Sequence, residues 1–199
     1  PRRNAPAAQR NREPLRAVLA EVLPGAGTVL EAAAGTGEHA AYFGRHFPAL
    51  TWRPTEPDPE LRASIAAHAE ADGVANVAAP LALDVTADSW PVDRADAVVC
   101  SNLLHIAPWA ATRGLLRGAA RVLPSSAPLA IYGPFVRAGE ATAESNAGFD
   151  AQLRERDPRW GLRDIDAVGA EAARHGLVLA RVVEMPANNR TLVFRRTPV

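Results

Sequence analysis

The sequence has a single cysteine, Cys100, so it can form no internal disulfide, and a reduced, cytoplasmic setting is the default expectation. It has no lysine. All 22 basic residues are arginine, and 22 acidic residues bring the formal charge to zero. The arginines are spread along the chain, often beside acids, which gives no case for a nucleic-acid groove or an anionic membrane surface. No uncharged apolar run approaches the roughly 18 residues of a membrane span. The opening stretch, PRRNAPAAQRNR, lacks the apolar core of a secretory signal; it is arginine-rich and acid-free but short, and a solvated tail is expected. The chain begins at Pro1 rather than methionine, and its natural start is expected to lie upstream.

What is present is ordinary globular composition: 199 residues, 48% hydrophobic and 22% charged, enough for one domain spanning residues 1–199 around one large core. No internal repeat stands out. Helix-like and strand-like segments alternate, as in a doubly wound α/β sheet. Arg12 to Leu23 reads as a helix with Pro14 in its first turn and Leu15, Val18, Leu19 and Val22 on one face. Strands are expected at Thr28–Ala32, Leu50–Pro54, Val77–Leu83, Ala95–Ser101 and Leu129–Tyr132. Helices are expected at Glu38–His46, Pro59–Asp72, Trp109–Leu123 and Ile165–His175. Leu179–Glu184 and Thr191–Arg195 close the chain as an antiparallel hairpin. The expected fold is therefore α/β, with a mostly parallel seven-stranded sheet.

The sharpest local feature is EAAAGTGEHA, Glu31 to Ala40, between a strand and a helix. Glycines there let the backbone approach a ligand, and the helix N-terminus offers free N–H groups. Gly35-Thr36-Gly37-Glu38-His39-Ala40 also fits the dinucleotide pattern G-x-G-x-x-A, a weak signal alone that a plain tight turn would also satisfy. Charge separates the ligands. A pyrophosphate over this turn would be repelled by Glu31 at the strand end, whereas an ammonium and a sulfonium, as in S-adenosylmethionine (SAM), would be favoured.

Glu56 follows the second strand, where a carboxylate can accept both hydroxyls of a ribose; a capping or turn acid, a role for which Asp58 competes, is the other reading. Asp84, in LALDVT, ends the third expected strand, where it can accept from an adenine amino group while the Val85 N–H meets a ring nitrogen. Helix capping is its alternative. Three acids at three successive strand ends matter more than any one, because ligands of open α/β sheets bind at those ends.

On these residues the chain resembles the class I SAM-dependent methyltransferases over nearly its whole length. More closely, it is similar to a small methyltransferase-like family designated a domain of unknown function. The closer match is carried by QRNREP (Gln9–Pro14), GTGEHA (Gly35–Ala40), LDVT (Leu83–Thr86), NLLHIAPW (Asn102–Trp109), YGPF (Tyr132–Phe135), SNAGFD (Ser145–Asp150), DPRWGLRD (Asp157–Asp164) and EMPANN (Glu184–Asn189). The resemblance implies SAM as cofactor and a small molecule as methyl acceptor. One departure stands out: the general motif has three alternating glycines after the acid, and the first of them is Ala33 here.

Methyl transfer is an in-line displacement that positioning alone can accelerate greatly. Where the acceptor is protonated, a base with a pKa near neutrality helps, and His105, after the fourth strand, is the candidate; a structural histidine is its rival. Asn102 and the Leu103 backbone are expected to line the cofactor. Tyr132 either orients the acceptor, packs over the sulfonium, or sits in the core. Residues 137–163 are too long for a plain connection and are expected to form a substrate lid carrying Arg137, Asn146, Asp150 and Trp160. Asn188 and Asn189 suit a polar substrate or a turn. Residues 10–12 are expected to fold over the cofactor as a flap, with Asn11 or Arg12 reaching its carboxylate; helix capping by Asn11 is the rival reading. The alternatives to a methyltransferase are a SAM-binding protein with lost or altered chemistry, an NAD-dependent oxidoreductase, and an interaction module on the same scaffold.

Overall fold

A computed structural model describes residues 1–198. In chain order the elements are α1 (Pro6–Val22), β1 (Gly27–Ala32), α2 (Glu38–His46), β2 (Leu50–Pro54), α3 (Pro59–Ala71), β3 (Ala97–Ser101), α4 (Trp109–Val122), β4 (Pro128–Gly133), β5 (Phe135–Val136), α5 (Glu144–Arg156), β6 (Arg163–Asp164), α6 (Ile165–Arg174), β7 (Leu177–Met185) and β8 (Asn189–Arg196). The main sheet runs β2-β1-β3-β4-β8-β7, with β5 and β6 pairing separately. The first four strands are parallel, and β8 lies antiparallel between β4 and β7.

The strands alternate between two faces, and each face is covered by helices. Leu30, Val98, Cys100, Leu129 and Ile131 pack with Leu115 and Leu116 of α4 and Ile165 and Val168 of α6. Val29, Val99, Ala130 and Tyr132 turn the other way, against Leu15 and Leu19 of α1, Phe43 of α2 and Ile65 of α3. Both faces of these strands are therefore buried, which is why AVVC reads as a continuous apolar run.

The sheet has six strands, not the seven that the sequence suggests. Residues 77–83 do run beside β2, joined by single bridges at Trp52–Val77 and Thr55–Leu81. Pro54 on one side and Pro80 on the other lack the N–H a continuous ladder needs. A second difference lies at the N-terminus. Helix α1 begins at Pro6, so Asn11 is inside it and caps nothing, and Pro14 is tolerated in its interior rather than in its first turn. The residues before it are not a loose tail: the Arg3 N–H donates to Ser64 Oγ at 2.8 Å, and the Ala5 N–H donates to Glu38 Oε2. No helix among the described residues is long and apolar enough to cross a membrane.

Between β1 and β3 the chain reverses its direction of travel across the sheet, moving out to β2 and then back. A crevice opens beyond the strand ends at such a switch point. Two backbone features shape it. Gly37 caps α2 at φ 92, and a Cβ there would come within 2.4 Å of the Ile65 Cα, so glycine lets α2 sit against α3. Ala33 also adopts left-handed backbone, at φ 54, where alanine is strained. Gly37→Ala is accordingly expected to cost about 2–4 kcal/mol in urea unfolding, combining overpacking with backbone strain. Ala33→Gly should be neutral or stabilising by up to about 1 kcal/mol. Equal midpoints for Gly37→Ala and wild type would contradict this packing.

Candidate functional site

Two cavities adjoin at the carboxyl ends of β1, β3 and β4. The first, about 420 Å³, is lined by Glu31 at the end of β1, Ala33 to Thr36 of the turn, His39 of α2, Glu56 and Pro57 after β2, and Ser101 to Leu103 after β3; Ala5, Ala7 and Ala8 of the N-terminal segment border it, with Leu61 and Ile106. The second, about 600 Å³, is lined by Arg10 and Asn11 of α1, His105, Tyr132 and Pro134, by Ser145, Asn146 and Phe149 of α5, and by Pro186, Ala187 and Asn189 of the hairpin turn. Ala7, Asn102 and Ile106 line both. Asn102 is held at the junction in left-handed backbone, φ 60, a conformation asparagine tolerates better than most residues.

The first cavity is acidic. Glu31 is buried, and its Oε2 accepts the Trp52 indole N–H at 2.7 Å. Burial pushes its carboxyl up to about 7, against the lowering effect of that hydrogen bond. Glu56 is buried too; it accepts the Gly35 N–H at 3.0 Å and the Asp58 N–H at 3.3 Å. Burial raises its pKa as well, while those two N–H groups oppose the shift. Among the described residues no arginine lines this cavity. His39 does, but burial draws its pKa down to about 4 and leaves it neutral near pH 7. A Cβ at Gly35 would meet nothing within 4 Å, so the space over the turn is open. The Ser101 hydroxyl is buried with no hydrogen-bond partner among the described residues.

This donor set suits a cationic nucleoside without phosphate. Two carboxylates, an open glycine turn and an unsatisfied hydroxyl accommodate ammonium, ribose and sulfonium groups. A pyrophosphate would meet two acids and no cation.

Several residues named from the sequence are elsewhere. Asp84 is exposed, and its Oδ1 is occupied by the Thr86 N–H at 2.8 Å and hydroxyl at 2.7 Å; Val85 turns into the core beneath α4. Neither lines the cavity. Gly37 serves helix packing, as above. Arg12 points away, its guanidinium 4.9 Å above the Tyr42 ring. Asp150 does not line the second cavity; it ties α5 to the loop that follows, accepting from the Leu162 N–H at 2.7 Å and Arg154 Nε at 2.8 Å. Trp160 lies outside the lining, and Arg137 and Asn188 face a neighbouring cleft of about 90 Å³. Asn146 and Asn189 do reach the large cavity.

His105 and Tyr132 line the second cavity together, with a changed prospect for the histidine. Burial, and then the charge of Arg163, draw His105 down to about 4, far below the near-neutral value expected of a base. Burial raises the Tyr132 phenol, and the neighbouring Asn11 amide works against that shift. Asn11 Oδ1 lies 2.7 Å from His39 Nε2. This buried pairing of α2 with α1 was not read from the sequence. The histidine stands in the GTGEHA motif, but no spacing could reveal a partner 28 residues away. Ser101 and Phe149 were likewise missed.

A family model described as "Protein of unknown function (DUF938)" matches residues 2–196. Among solved structures, the fold is similar to mitomycin 7-O-methyltransferase MmcR (TM-score 0.82, 20% identity, 96% of this chain and 54% of that one). It is also similar to CalO1, a methyltransferase in calicheamicin biosynthesis solved with SAH bound (TM-score 0.76, 20% identity, 97% and 54%). A putative methyltransferase from Bacillus halodurans matches along almost its whole length (TM-score 0.73, 16% identity, 92% and 99%). The chain spans about half the length of the first two.

Glu31 allows a direct check of the site's electrostatics. Its folded pKa, about 7, lies above its ordinary 4.5, so the native state holds the proton more tightly than the unfolded chain. Its stabilising contribution is full below pH 4.5 and is lost as pH rises through about 7. Relative to Glu31→Gln, a neutral isostere, wild type should therefore lose thermal stability steadily across that window and level off above it. A difference independent of pH would contradict the buried, unpaired carboxyl.

Proposed function

We propose, taking as premise that the chain belongs to the DUF938 family, that it is a SAM-dependent methyltransferase acting on a small molecule. The observation that carries this reading is the acidic, cation-free lining of the 420 Å³ cavity, with Glu31 and Glu56 on either side of the Gly35 turn. The likeness in fold to methyltransferases supports it, and one of them binds SAH, the demethylated product of SAM.

In this reading Glu56 accepts the ribose hydroxyls, Glu31 faces the cationic end, and Ala33 to Thr36 with Asn102 and Leu103 hold the cofactor between them. Bound SAM supplies an electrophilic methyl group. In-line transfer would join that carbon to the acceptor's lone pair as the S–CH₃ bond breaks, leaving a neutral thioether. The chain's contribution is chiefly positioning. Asn102, at the junction of the two cavities, lies where the acceptor atom would meet the methyl group. His105, neutral and weakly basic, serves as a hydrogen-bond acceptor that orients the acceptor's O–H or N–H; the released proton passes to solvent. Residues 137–163, with α5, close the acceptor's side. A SAM-binding protein without methyl transfer gains some support from the low basicity of His105 and the strained alanine at position 33.

Calorimetry with SAH and NAD tests the reading. SAH should bind and NAD should not, and Glu56→Ala should weaken SAH by about 1.5–3 kcal/mol, as for losing hydrogen bonds to a charged group. NAD binding, or SAH affinity unchanged in the mutant, would overturn it.

A further inference from the structure

We propose that the 600 Å³ cavity selects an anionic aromatic acceptor, with Arg10 as the partner of its negative charge and Phe149 and Ile106 as the walls against its ring. The inference rests on the methyltransferase reading and names the substrate class of that same site.

Charge is the first observation. The lining includes one arginine and no acid, the reverse of the adjoining cofactor cavity. Arg10 makes no ion pair or side-chain hydrogen bond among the described residues, whereas most arginines of this chain are engaged with carboxylates or carbonyls. Arg10 shares the cavity lining with Tyr132, whose phenol feels its charge. A free guanidinium at the mouth of an acid-free cavity favours a carboxylate or similar anion, which it can bind in two-pronged fashion. A cationic acceptor would find no partner there.

Exposed apolar surface is the second observation, independent of the first. Only three large hydrophobic side chains stand exposed among the described residues: Ile106 at 43%, Phe149 at 37% and Val178 at 52%. Two of the three line this one cavity. Phe149 sits edge-on to His105, with ring centroids 5.7 Å apart. Together with Pro134, Pro186 and Tyr132 they form an apolar box with aromatic edges, suited to a flat ring that would cover them. The volume is that of a cavity for a small organic ligand.

The amides refine the orientation. Asn146 Nδ2 is committed to the Asn188 carbonyl at 2.9 Å, Asn189 to the Pro186 and Ala187 carbonyls, and Asn11 to His39. Asn102 alone of the four has no such side-chain commitment, and it stands at the cofactor junction. The reactive hydroxyl or amine of the acceptor therefore points toward Asn102, and its anionic substituent toward α1.

The test is calorimetric binding to SAH-saturated protein, using 1-hydroxy-2-naphthoate, its uncharged counterpart 1-naphthol, and non-aromatic cyclohexanecarboxylate. The naphthoate should bind most tightly. Arg10→Ala should weaken it about tenfold or more, as for the loss of a charge-assisted hydrogen bond, while leaving 1-naphthol within about twofold and Arg10→Lys intermediate. SAH affinity in Arg10→Ala should be unchanged, since Arg10 does not line the cofactor cavity. That control also reports that the variant is folded. Equal binding of naphthoate and naphthol, with neither sensitive to Arg10, would overturn the anionic part. Cyclohexanecarboxylate binding as tightly as the naphthoate would overturn the aromatic part. If SAH binds and none of the three does, the substrate class falls and the cofactor reading stands; if SAH itself fails to bind, the methyltransferase reading fails first.

Discussion

The site depends on one buried carboxyl held without a cation. Glu31 stands near the carboxyl end of β1, and its position is fixed twice over. Its backbone carbonyl accepts the Thr55 N–H at 2.8 Å and the Thr55 hydroxyl at 2.9 Å, while its side chain accepts the Trp52 indole N–H at 2.7 Å. Trp52 is itself locked in the core, stacked on Phe47 and packed against Phe43. The carboxyl can neither swing out to water nor find a protein cation. It meets the cost of burial by holding its proton to about pH 7, and a cationic ligand is the natural way to release that proton. The acidity of the first cavity and its unsuitability for pyrophosphate both follow.

The two cavities divide the chemistry by charge. Beside the acidic crevice lies a larger, apolar one whose single charge is positive, and Asn102 sits between them. Opposite electrostatic characters on either side of one residue suit two ligands of unlike charge lying side by side. Helix α1 contributes to both: Ala7 and Ala8 border the first, and Arg10 and Asn11 enter the second.

Much of the frame was legible in the sequence because it follows local rules. Buried parallel strands such as AVVC are continuous apolar runs, and α2 runs over the same residues that the glycine turn predicts. The acids at the first two strand ends were legible for the same reason, since strand ends are fixed by pattern. Asp84 was misread because its segment pairs with β2 only through isolated bridges, broken by Pro54 and Pro80, and its carboxylate closes a local turn with Thr86. Residues before Arg12 were misread because polar, proline-bearing sequence resembles a tail, whereas Glu38 and Ser64, far along the chain, hold it in place. Those contacts leave no periodic trace. The same holds for His39 with Asn11, and for the gathering of Ile106 and Phe149 at one rim.

The most direct test of the central claim is the proton balance of SAH binding, obtained by titration calorimetry at pH 6 in buffers of different ionisation enthalpy. A carboxyl protonated to about pH 7 and then faced with the ligand's ammonium predicts release of about one proton at pH 6, falling toward zero by about pH 8.5. The release should vanish in Glu31→Gln. Binding with no proton released at pH 6 would contradict the account.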